Sequence, residues 1–286
     1  MLRGLFRTSA ILFLALLMSY GCAYSPEKEG GYTDLAYGPH QRQVYDVYKP
    51  PGAHKAPVIF MVHGGAWAAG DKSNRRVLKN KIDRWVPKGF VFMSTNYRLL
   101  PDANPVQQAQ DVAKAIAHAQ RNAHQYGADP DRFILMGHSA GAHLVSLLNS
   151  DFAMAKDQGA RLWLGTVSID TAALALEKLM LSDPLWIYPK AFGSDPDFWR
   201  EASPLRRLTS SSQAAPVLVI CSTKRKDKPC LQAQEFKARS EEFGFQVEIL
   251  SVNMSHTAAN VKLGKDNNYT DQVEAFIRSL SENVHR

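Results

Sequence analysis

Almost entirely apolar segments of strand length recur along the chain. They lie at residues 57–62, 90–95, 132–136, 162–169, 216–221 and 246–252. Several are rich in Val, Ile and Phe without alternating polar residues, which is typical of strands buried on both faces of a parallel sheet. Because helical patterns separate these runs, the sequence predicts a three-layer α/β sandwich with a mostly parallel central sheet.

The helical patterns occupy the intervals at 105–126, 141–148, 231–243 and 270–280. In the first interval, small and apolar residues recur at spacings of three and four: Val106, Ala109, Val112 and Ile116. That spacing places them on one face of a helix, ready to pack against the sheet. Residues 42–48 alternate in polarity instead, which predicts an outer antiparallel strand.

Residues 170–214 interrupt the alternation of strands and helices. This segment carries aromatic residues set among prolines: Trp186, Tyr188, Phe192, Phe198 and Trp199. An aromatic stretch of this kind predicts an inserted cap region that forms the wall of a pocket. An ordinary packed connection between two strands is the alternative interpretation.

Residues 1–22 have the pattern of an export signal. Arg3 and Arg7 precede an apolar stretch at 11–18. The uncharged run at 8–23 is too short for a comfortable membrane span, which needs about 20 apolar residues.

Cys22 follows Gly21 at the end of this segment, which resembles the cleavage site of a bacterial lipoprotein. We expect Cys22 to be lipidated and the polar residues 23–39 to tether a domain at 40–286 to a membrane, facing the periplasm. A plain cleaved signal, giving a periplasmic or secreted protein, and an uncleaved anchor are the alternatives.

Charge and motif content argue against several partners and cofactors. The net charge is +7, from 34 basic and 27 acidic residues. The basic residues lack the interleaved aromatic residues of a platform for single-stranded nucleic acid, so no nucleic-acid partner is expected. No Cys/His cluster has the spacing of a zinc site and no phosphate-binding loop is present, so neither a metal nor another cofactor is expected.

Two cysteines besides Cys22 complete the total of three. An exported protein meets oxidising conditions, in which Cys221 and Cys230 can pair. We therefore predict a disulfide between them. Two unpaired cysteines that act as small apolar residues are the alternative.

The motif Gly137-His138-Ser139-Ala140-Gly141 lies directly between a predicted strand and a predicted helix. A Gly-x-Ser-x-Gly sequence in this setting is typical of a nucleophile elbow. The chain reverses sharply there, and glycines without Cβ atoms allow the crossing backbones to approach closely. Ser139 then lies at a helix N-terminus, where free N–H groups favour developing negative charge. Ser139 is the predicted nucleophile.

A serine nucleophile that attacks a carbonyl group needs hydrogen-bond donors for the oxyanion that forms. The backbone N–H of Ala140 is one expected donor. A second is expected from Gly64, Gly65 or Ala66, which follow the apolar run at 57–62. Gly65 and Ala66 are the favoured candidates.

Four segments together resemble the esterase/lipase branch of the α/β-hydrolase superfamily: His63-Gly64-Gly65-Ala66-Trp67, Asn96-Tyr97-Arg98-Leu99, Asp129-Pro130-Asp131-Arg132 and residues 137–141. The resemblance covers residues 40–283 and extends to hormone-sensitive-lipase-like esterases and the kynurenine formamidase group. The family's His-Gly-Gly-x-Trp form of the oxyanion loop is matched at 63–67. Hormone-sensitive-lipase-like enzymes usually have a third glycine where Ala66 stands, which favours the formamidase group.

In this fold the catalytic residues follow the chain order serine, acid, histidine. Six of the nine histidines precede Ser139. His143 is four residues after Ser139 on the same predicted helix and cannot reach back to it, and His285 is the penultimate residue. His256, in the loop after 246–252, is therefore the predicted base.

Two aspartates compete for the role of the acid. Asp227 follows the run at 216–221, where the resemblance implies the acid, and it is the predicted one. Asp170 ends the preceding strand and is the alternative. Because Asp227 lies between Cys221 and Cys230, the predicted disulfide would brace the loop that carries it.

The resemblance and these residues predict a serine carboxylesterase that cleaves small-molecule esters of short- to medium-chain acyl groups through a Ser-His-Asp triad. A formamidase-type amidase is the enzymatic alternative, since the same triad cleaves activated amides. A binding protein on an α/β-hydrolase scaffold, without catalytic activity, is the alternative from another class.

Overall fold

The computed structural model of the protein describes residues 31–282. Eight strands form one sheet in the order β1-β2-β4-β3-β5-β6-β7-β8. They are β1 (Gly31–Ala36), β2 (Val44–Tyr48), β3 (Ala56–Val62), β4 (Val91–Thr95), β5 (Ala128–His138), β6 (Gly165–Ile169), β7 (Val217–Ser222) and β8 (Val247–Val252). The β1–β2 and β2–β4 pairs are antiparallel, and the other pairs are parallel.

Helices lie on both faces of the sheet. They are α1 (Arg75–Trp85), α2 (Pro105–Arg121), α3 (Ala140–Ser150), α4 (Phe152–Lys156), α5 (Leu176–Met180), α6 (Ile187–Phe192), α7 (Pro196–Glu201), α8 (Pro204–Arg207), α9 (Pro229–Glu241), α10 (His256–Val261) and α11 (Asn268–Glu282). Short 3-10 turns follow α1 at Val86–Lys88 and α2 at Ala123–Tyr126. The predicted three-layer sandwich with a mostly parallel sheet is confirmed.

Strand β3 shows why the predicted runs are almost continuously apolar. Phe60 packs in a core cluster with residues of α2 and α3, while its neighbours Ile59 and Met61 pack in a second cluster with residues of α1 and α11. Successive side chains of a strand point to opposite faces, so a strand covered on both sides buries all of them. Each such side chain contributes about 1.5–3 kcal/mol through burial.

The edge of the sheet differs from the predicted tether. Residues 42–48 contain β2, which is antiparallel as predicted, but β1 (Gly31–Ala36) lies outside it. The prediction that 23–39 is a tether is therefore wrong for residues 31–36. An edge strand has one open side and needs fewer apolar residues, so β1 (GYTDLA) lacks the continuous apolar run of the buried strands. The predicted signal segment, Cys22 and residues 23–30 lie outside the described residues.

Four short helices, α5 to α8, occupy the predicted cap region at 170–214. Tyr188, Phe192 and Trp199 of this region are buried in the same core cluster as Trp67. Trp186, by contrast, is 72% exposed. The region therefore packs on the rest of the domain through one face and leaves another open. No helix within residues 31–282 has the length and apolar character needed to span a membrane.

Asp111 on α2 fixes the segment that follows β4. Its side chain is fully buried, and it accepts hydrogen bonds from the guanidinium of Arg98 at 2.7 and 2.8 Å and from the amide of Gln43 at 2.8 Å. The backbone N–H of Arg98 donates to the same carboxylate. A buried carboxylate with four donors therefore connects α2 to the segment before β2 and to the segment after β4.

Asp111→Ala should lower the free energy of unfolding by about 3 kcal/mol, because it leaves Arg98 and Gln43 without their acceptor. Urea denaturation measures this change. Asp131→Ala is the matched control, since the Asp131–Arg161 pair is 66% and 61% exposed. It should change stability by no more than about 1 kcal/mol. Equal losses in both variants would contradict the structural role of Asp111.

Candidate active site

Ser139 lies in a sharp turn between β5 and α3. Its backbone has φ 57° and ψ −118°, a conformation that an L-residue rarely adopts and that costs of order 1–3 kcal/mol. The turn is held by a hydrogen bond from the Ser139 N–H to the carbonyl of Ile169, at 2.9 Å, on the neighbouring β6. The surrounding strands therefore maintain a strained conformation that presents the hydroxyl.

The two glycines of the motif are required by close packing. A Cβ atom on Gly137 would lie 2.3 Å from the carbonyl oxygen of Gly141. A Cβ atom on Gly141 would lie 2.2 Å from the carbonyl oxygen of Val62, at the end of β3. No side chain is tolerated at these distances, so the backbone of the turn passes directly against the neighbouring strand.

His256 is the first residue of α10, the next element after β8. Its Nε2 lies 2.9 Å from the Oγ of Ser139. The hydroxyl of Ser255 caps this short helix by accepting a hydrogen bond from the N–H of Ala258. The structure therefore brings the predicted nucleophile and the predicted base into hydrogen-bond contact.

Asp170, which follows β6, completes this hydrogen-bonded chain. One carboxylate oxygen lies 2.7 Å from the Nδ1 of His256, and the other accepts the backbone N–H of Ser222 at 2.7 Å. The Asp170 side chain is fully buried. Burial would raise its pKa, but the bonds from His256 and Ser222 and the charge of Arg225 hold that pKa below its ordinary value. Asp170 is therefore ionised at neutral pH.

The prediction that Asp227 is the acid is corrected by this geometry. The Asp227 carboxylate accepts hydrogen bonds from the guanidinium of Arg225 and, at 2.8 Å, from the hydroxyl of Tyr188. Asp170 occupies the position beside Nδ1 of His256 instead. Its strand, β6, is the direct neighbour of β5 in the sheet, so the residue that follows β6 lies next to Ser139.

The predicted oxyanion loop lies against the turn that carries Ser139. A Cβ atom on Gly64 would be 2.7 Å from the carbonyl oxygen of His138, so this position must be glycine. Ala66 has a left-handed conformation, with φ 51°. Ala66 and Ala140 both line a pocket with Ser139, whereas Gly64 and Gly65 do not. The geometry thus favours Ala66 and Ala140 among the predicted donors.

Gly65 shapes this loop without facing the pocket. Its carbonyl accepts hydrogen bonds from the N–H groups of Ala68 and Ala69, at 3.1 and 2.9 Å. Its φ of 131° and a distance of 2.1 Å between a virtual Cβ and the Ala69 carbonyl oxygen require glycine. The resulting tight turn directs the next residues toward Ser139.

Two further histidines, His143 and His138, support the site. His143 lies under Trp67, whose indole N–H donates to its Nδ1 at 3.2 Å, while its Nε2 contacts the carbonyl of Ala202 at 2.7 Å. Burial lowers the pKa of His143 to about 4, so the ring is neutral and carries its proton on Nε2. His143 therefore holds the oxyanion loop against the cap region.

His138 supports the predicted base, His256. Its ring lies 4.5 Å from that of His256, centroid to centroid, and its Nε2 is 3.2 Å from the main-chain carbonyl of His256. Burial and the nearby His256 lower the pKa of His138 to about 3, so a neutral ring donates this bond. The position of His138 inside the Gly-x-Ser-x-Gly motif is the only sequence signal for this role. The sequence does not show that its partner is His256, 118 residues away.

A cavity of about 220 Å³ opens beside Ser139. The cap region contributes Leu185, Ile187 and Tyr188 to its wall, and the oxyanion loop contributes Ala66 and Trp67. Residues 31–282 contain no group of three His, Cys, Asp or Glu side chains arranged to hold a metal ion. The pocket can take a small apolar group next to a nucleophilic hydroxyl.

Cys221 and Cys230 are joined by a disulfide, with 5.1 Å between their Cα atoms. It links the end of β7 to the first turn of α9. The loop that it closes carries Arg225 and Asp227, and Arg225 lines the pocket beside Asp170.

Comparison with known proteins relates this architecture to esterases. The model of the BD-FAE family matches residues 45–160, which include the predicted oxyanion loop and the Ser139 turn. The esterase LipQ of Mycobacterium tuberculosis is 29% identical over 74% of this chain and 53% of its own. A probable isoprenylcysteine α-carbonyl methylesterase of Arabidopsis thaliana, ICMEL2, is 32% identical over 44% of this chain and 29% of its own. The chain therefore spans about half the length of LipQ, and less of ICMEL2.

The fold is that of solved esterase structures. Esterase B from Lactobacillus rhamnosis superimposes with a TM-score of 0.70 at 20% sequence identity, covering 91% of this chain and 89% of its own. At that identity the likeness concerns the fold, which is the α/β-hydrolase fold that the sequence motifs imply.

Replacement of Asp170 or Asp227 by asparagine distinguishes the roles of the two aspartates without any assumption about the substrate. The rate at which a fluorophosphonate probe modifies Ser139 reports on the reactivity of its hydroxyl. Asp170→Asn should slow the modification by roughly 10⁴-fold, because the imidazole loses the carboxylate that fixes its tautomer. Asp227→Asn should slow it by no more than about 100-fold. If Asp227→Asn is the slower variant, Asp170 is not the acid.

Proposed function

We propose that this chain belongs to the esterase/lipase branch of the α/β-hydrolase superfamily and is a serine carboxylesterase for small-molecule esters with short- to medium-chain acyl groups. The observation that carries the proposal is the unbroken chain of contacts from Ser139 through His256 to Asp170, at 2.9 and 2.7 Å, on the wall of the pocket. The names of its relatives, which include esterases and carboxylic ester hydrolases, support the same reaction class.

The first half of the reaction forms an acyl-enzyme. Ser139 Oγ attacks the ester carbonyl while Nε2 of His256 takes its proton. Asp170 accepts the Nδ1–H bond of His256, fixes the tautomer and stabilises the imidazolium that forms. The imidazolium then gives its proton to the leaving alkoxide, so the alcohol departs and the acyl group stays on Ser139.

The second half of the reaction repeats these steps with water. His256 takes a proton from water as the water oxygen attacks the acyl carbonyl. Collapse of the tetrahedral intermediate breaks the bond to Oγ, and the imidazolium returns the proton to Ser139. A carboxylic acid leaves, and the enzyme returns to its starting state.

Negative charge develops on the carbonyl oxygen in both halves. We assign its stabilisation to the backbone N–H groups of Ala66 and Ala140, which flank Ser139 in the pocket. Ala140 is the first residue of α3, so its N–H has no acceptor within the helix. Loss of one such donor costs about 3–4 kcal/mol of transition-state stabilisation.

The pocket favours short acyl groups. Its volume of about 220 Å³ lies below the range of about 300–1,000 Å³ that is typical of pockets for larger ligands. Trp67 and the cap residues Leu185 and Ile187 give it an apolar lining that suits an alkyl chain.

We propose further that the protein is exported and anchored to a membrane by a lipid on Cys22. The signal-like pattern at 1–22 supports export, and the disulfide between Cys221 and Cys230 suits an oxidising compartment.

Fractionation of expressing bacteria tests the anchor. The intact chain should sediment with membranes, and Cys22→Ser should not. Identical distribution of the two proteins would contradict lipid anchoring.

Ser139→Ala tests the esterase activity itself. The wild-type protein should hydrolyse p-nitrophenyl acetate and butyrate with a higher kcat/KM than the dodecanoate, because the pocket is small. Ser139→Ala should lose at least about 10⁴-fold in kcat while it keeps the thermal unfolding midpoint of the wild type. Turnover that survives in this variant would contradict the proposal.

Matched ester and amide substrates separate the proposed esterase from a formamidase-type amidase. An esterase cleaves the ester of each pair with the higher kcat/KM. Preference for the amide would replace the proposed substrate class with amides. A protein that neither turns over these substrates nor reacts with a fluorophosphonate would be a binding protein.

A further inference from the structure

Arg225 lies at the acid end of the hydrogen-bonded chain, although none of the catalytic steps above uses it. Its side chain is only 14% exposed. One guanidinium nitrogen, Nη1, lies 3.3 Å from Oδ2 of Asp170 and 3.0 Å from Nδ1 of His256, and it also donates to the main-chain carbonyl of Asp170. Arg225 therefore contacts both ends of the bond between Asp170 and His256.

The other side of the guanidinium is held by Asp227. Nε of Arg225 donates to Oδ1 of Asp227 at 2.9 Å, and Nη2 donates to Oδ2. The Asp227 side chain is 6% exposed, so two buried carboxylates share one cation. Burial would lower the pKa of Arg225, but the bond to Asp227 and the charge of Asp170 raise it above its ordinary value, and the guanidinium stays charged.

The planar shape of the guanidinium suits this arrangement. Its Nη1 faces Asp170, while Nε and Nη2 form the two-pronged contact with Asp227. A lysine has the charge but only one nitrogen, and it cannot span both carboxylates in this way. The contact geometry therefore depends on arginine and on charge together.

The loop that carries Arg225 is itself restrained. The disulfide between Cys221 and Cys230 closes it at both ends. The hydroxyl of Tyr188 donates to Asp227 at 2.8 Å, so the cap region is connected to the same loop. These restraints limit the movement of the guanidinium relative to Asp170.

We propose that Arg225 is a positioning residue that holds the Asp170 carboxylate in line with His256, and that Asp227 is the counter-ion that orients Arg225. The proposal rests on the esterase function proposed above and adds a residue to it. It also gives Asp227 the role of a counter-ion, whereas the sequence predicted that Asp227 is the acid.

A double-mutant cycle tests whether Arg225 acts through Asp170. The four proteins are the wild type, Arg225→Met, Asp170→Asn and the double variant, assayed with p-nitrophenyl acetate. Arg225→Met should lower kcat roughly 10- to 100-fold in the wild-type background, because a misplaced acid no longer orients the base. In the Asp170→Asn background the same change should alter kcat by less than about 3-fold. KM should change by less than kcat.

Two further variants separate positioning from charge and from general disturbance of the loop. Arg225→Lys should recover part of the lost kcat, since it restores the charge without the fork. Lys226→Met, at an exposed neighbouring position, should keep kcat within about 2-fold of the wild type. If Arg225→Met does not fold, Asp227→Asn replaces it in the cycle, with a smaller loss of kcat that is again absent beside Asp170→Asn.

Equal losses from Arg225→Met in both backgrounds would overturn the proposal, because Arg225 would then act independently of Asp170. An unchanged kcat in the wild-type background would overturn it as well. Both outcomes require an active wild-type enzyme. A wild-type protein that does not hydrolyse esters would instead contradict the esterase function, so the two failures are distinguishable.

Discussion

The close crossing of backbones at the Ser139 turn is the constraint on which the rest of the site depends. Gly141 packs against the carbonyl of Val62 at the end of β3, and the N–H of Ser139 bonds to Ile169 at the end of β6. Three adjacent strands, β3, β5 and β6, thus end at one place. The residues that follow them are the proposed oxyanion loop, the proposed nucleophile and the proposed acid. Their relative positions are set by the sheet.

Much of this arrangement could be predicted from the sequence because its signals are local. The apolar runs give the strands, and Ser139 is identified by glycines and by its place between a strand and a helix. His256 was found by elimination, since the chain order of the fold left few histidines. The acid was not fixed in this way, because Asp170 and Asp227 both follow strands and both lie between the serine and the histidine in sequence. Their difference lies in which strand is adjacent to β5.

The polar environment of Asp170 and Asp227 could not be predicted from the sequence either. Arg225 is only two residues from Asp227, in a loop with several other cations, and nothing local marks it as the buried one. In the folded chain it is enclosed between two carboxylates and beside His256. Burying a carboxylate costs free energy unless a counter-charge lies beside it. The single guanidinium of Arg225 supplies that counter-charge to both carboxylates. The edge strand β1 was not predicted for a related reason. Its backbone pairs with β2, and that pairing needs no continuous apolar run in its sequence.

The proposed site can be tested with a crystal structure of the protein trapped with a short alkyl phosphonate, because the adduct mimics the tetrahedral intermediate. We expect phosphorus bonded to Oγ of Ser139, with the phosphonyl oxygen within about 3.1 Å of the N–H groups of both Ala66 and Ala140. His256 should remain bonded to Asp170. An adduct whose phosphonyl oxygen points away from these N–H groups, or a His256 that turns to Asp227, would contradict the proposed catalytic site.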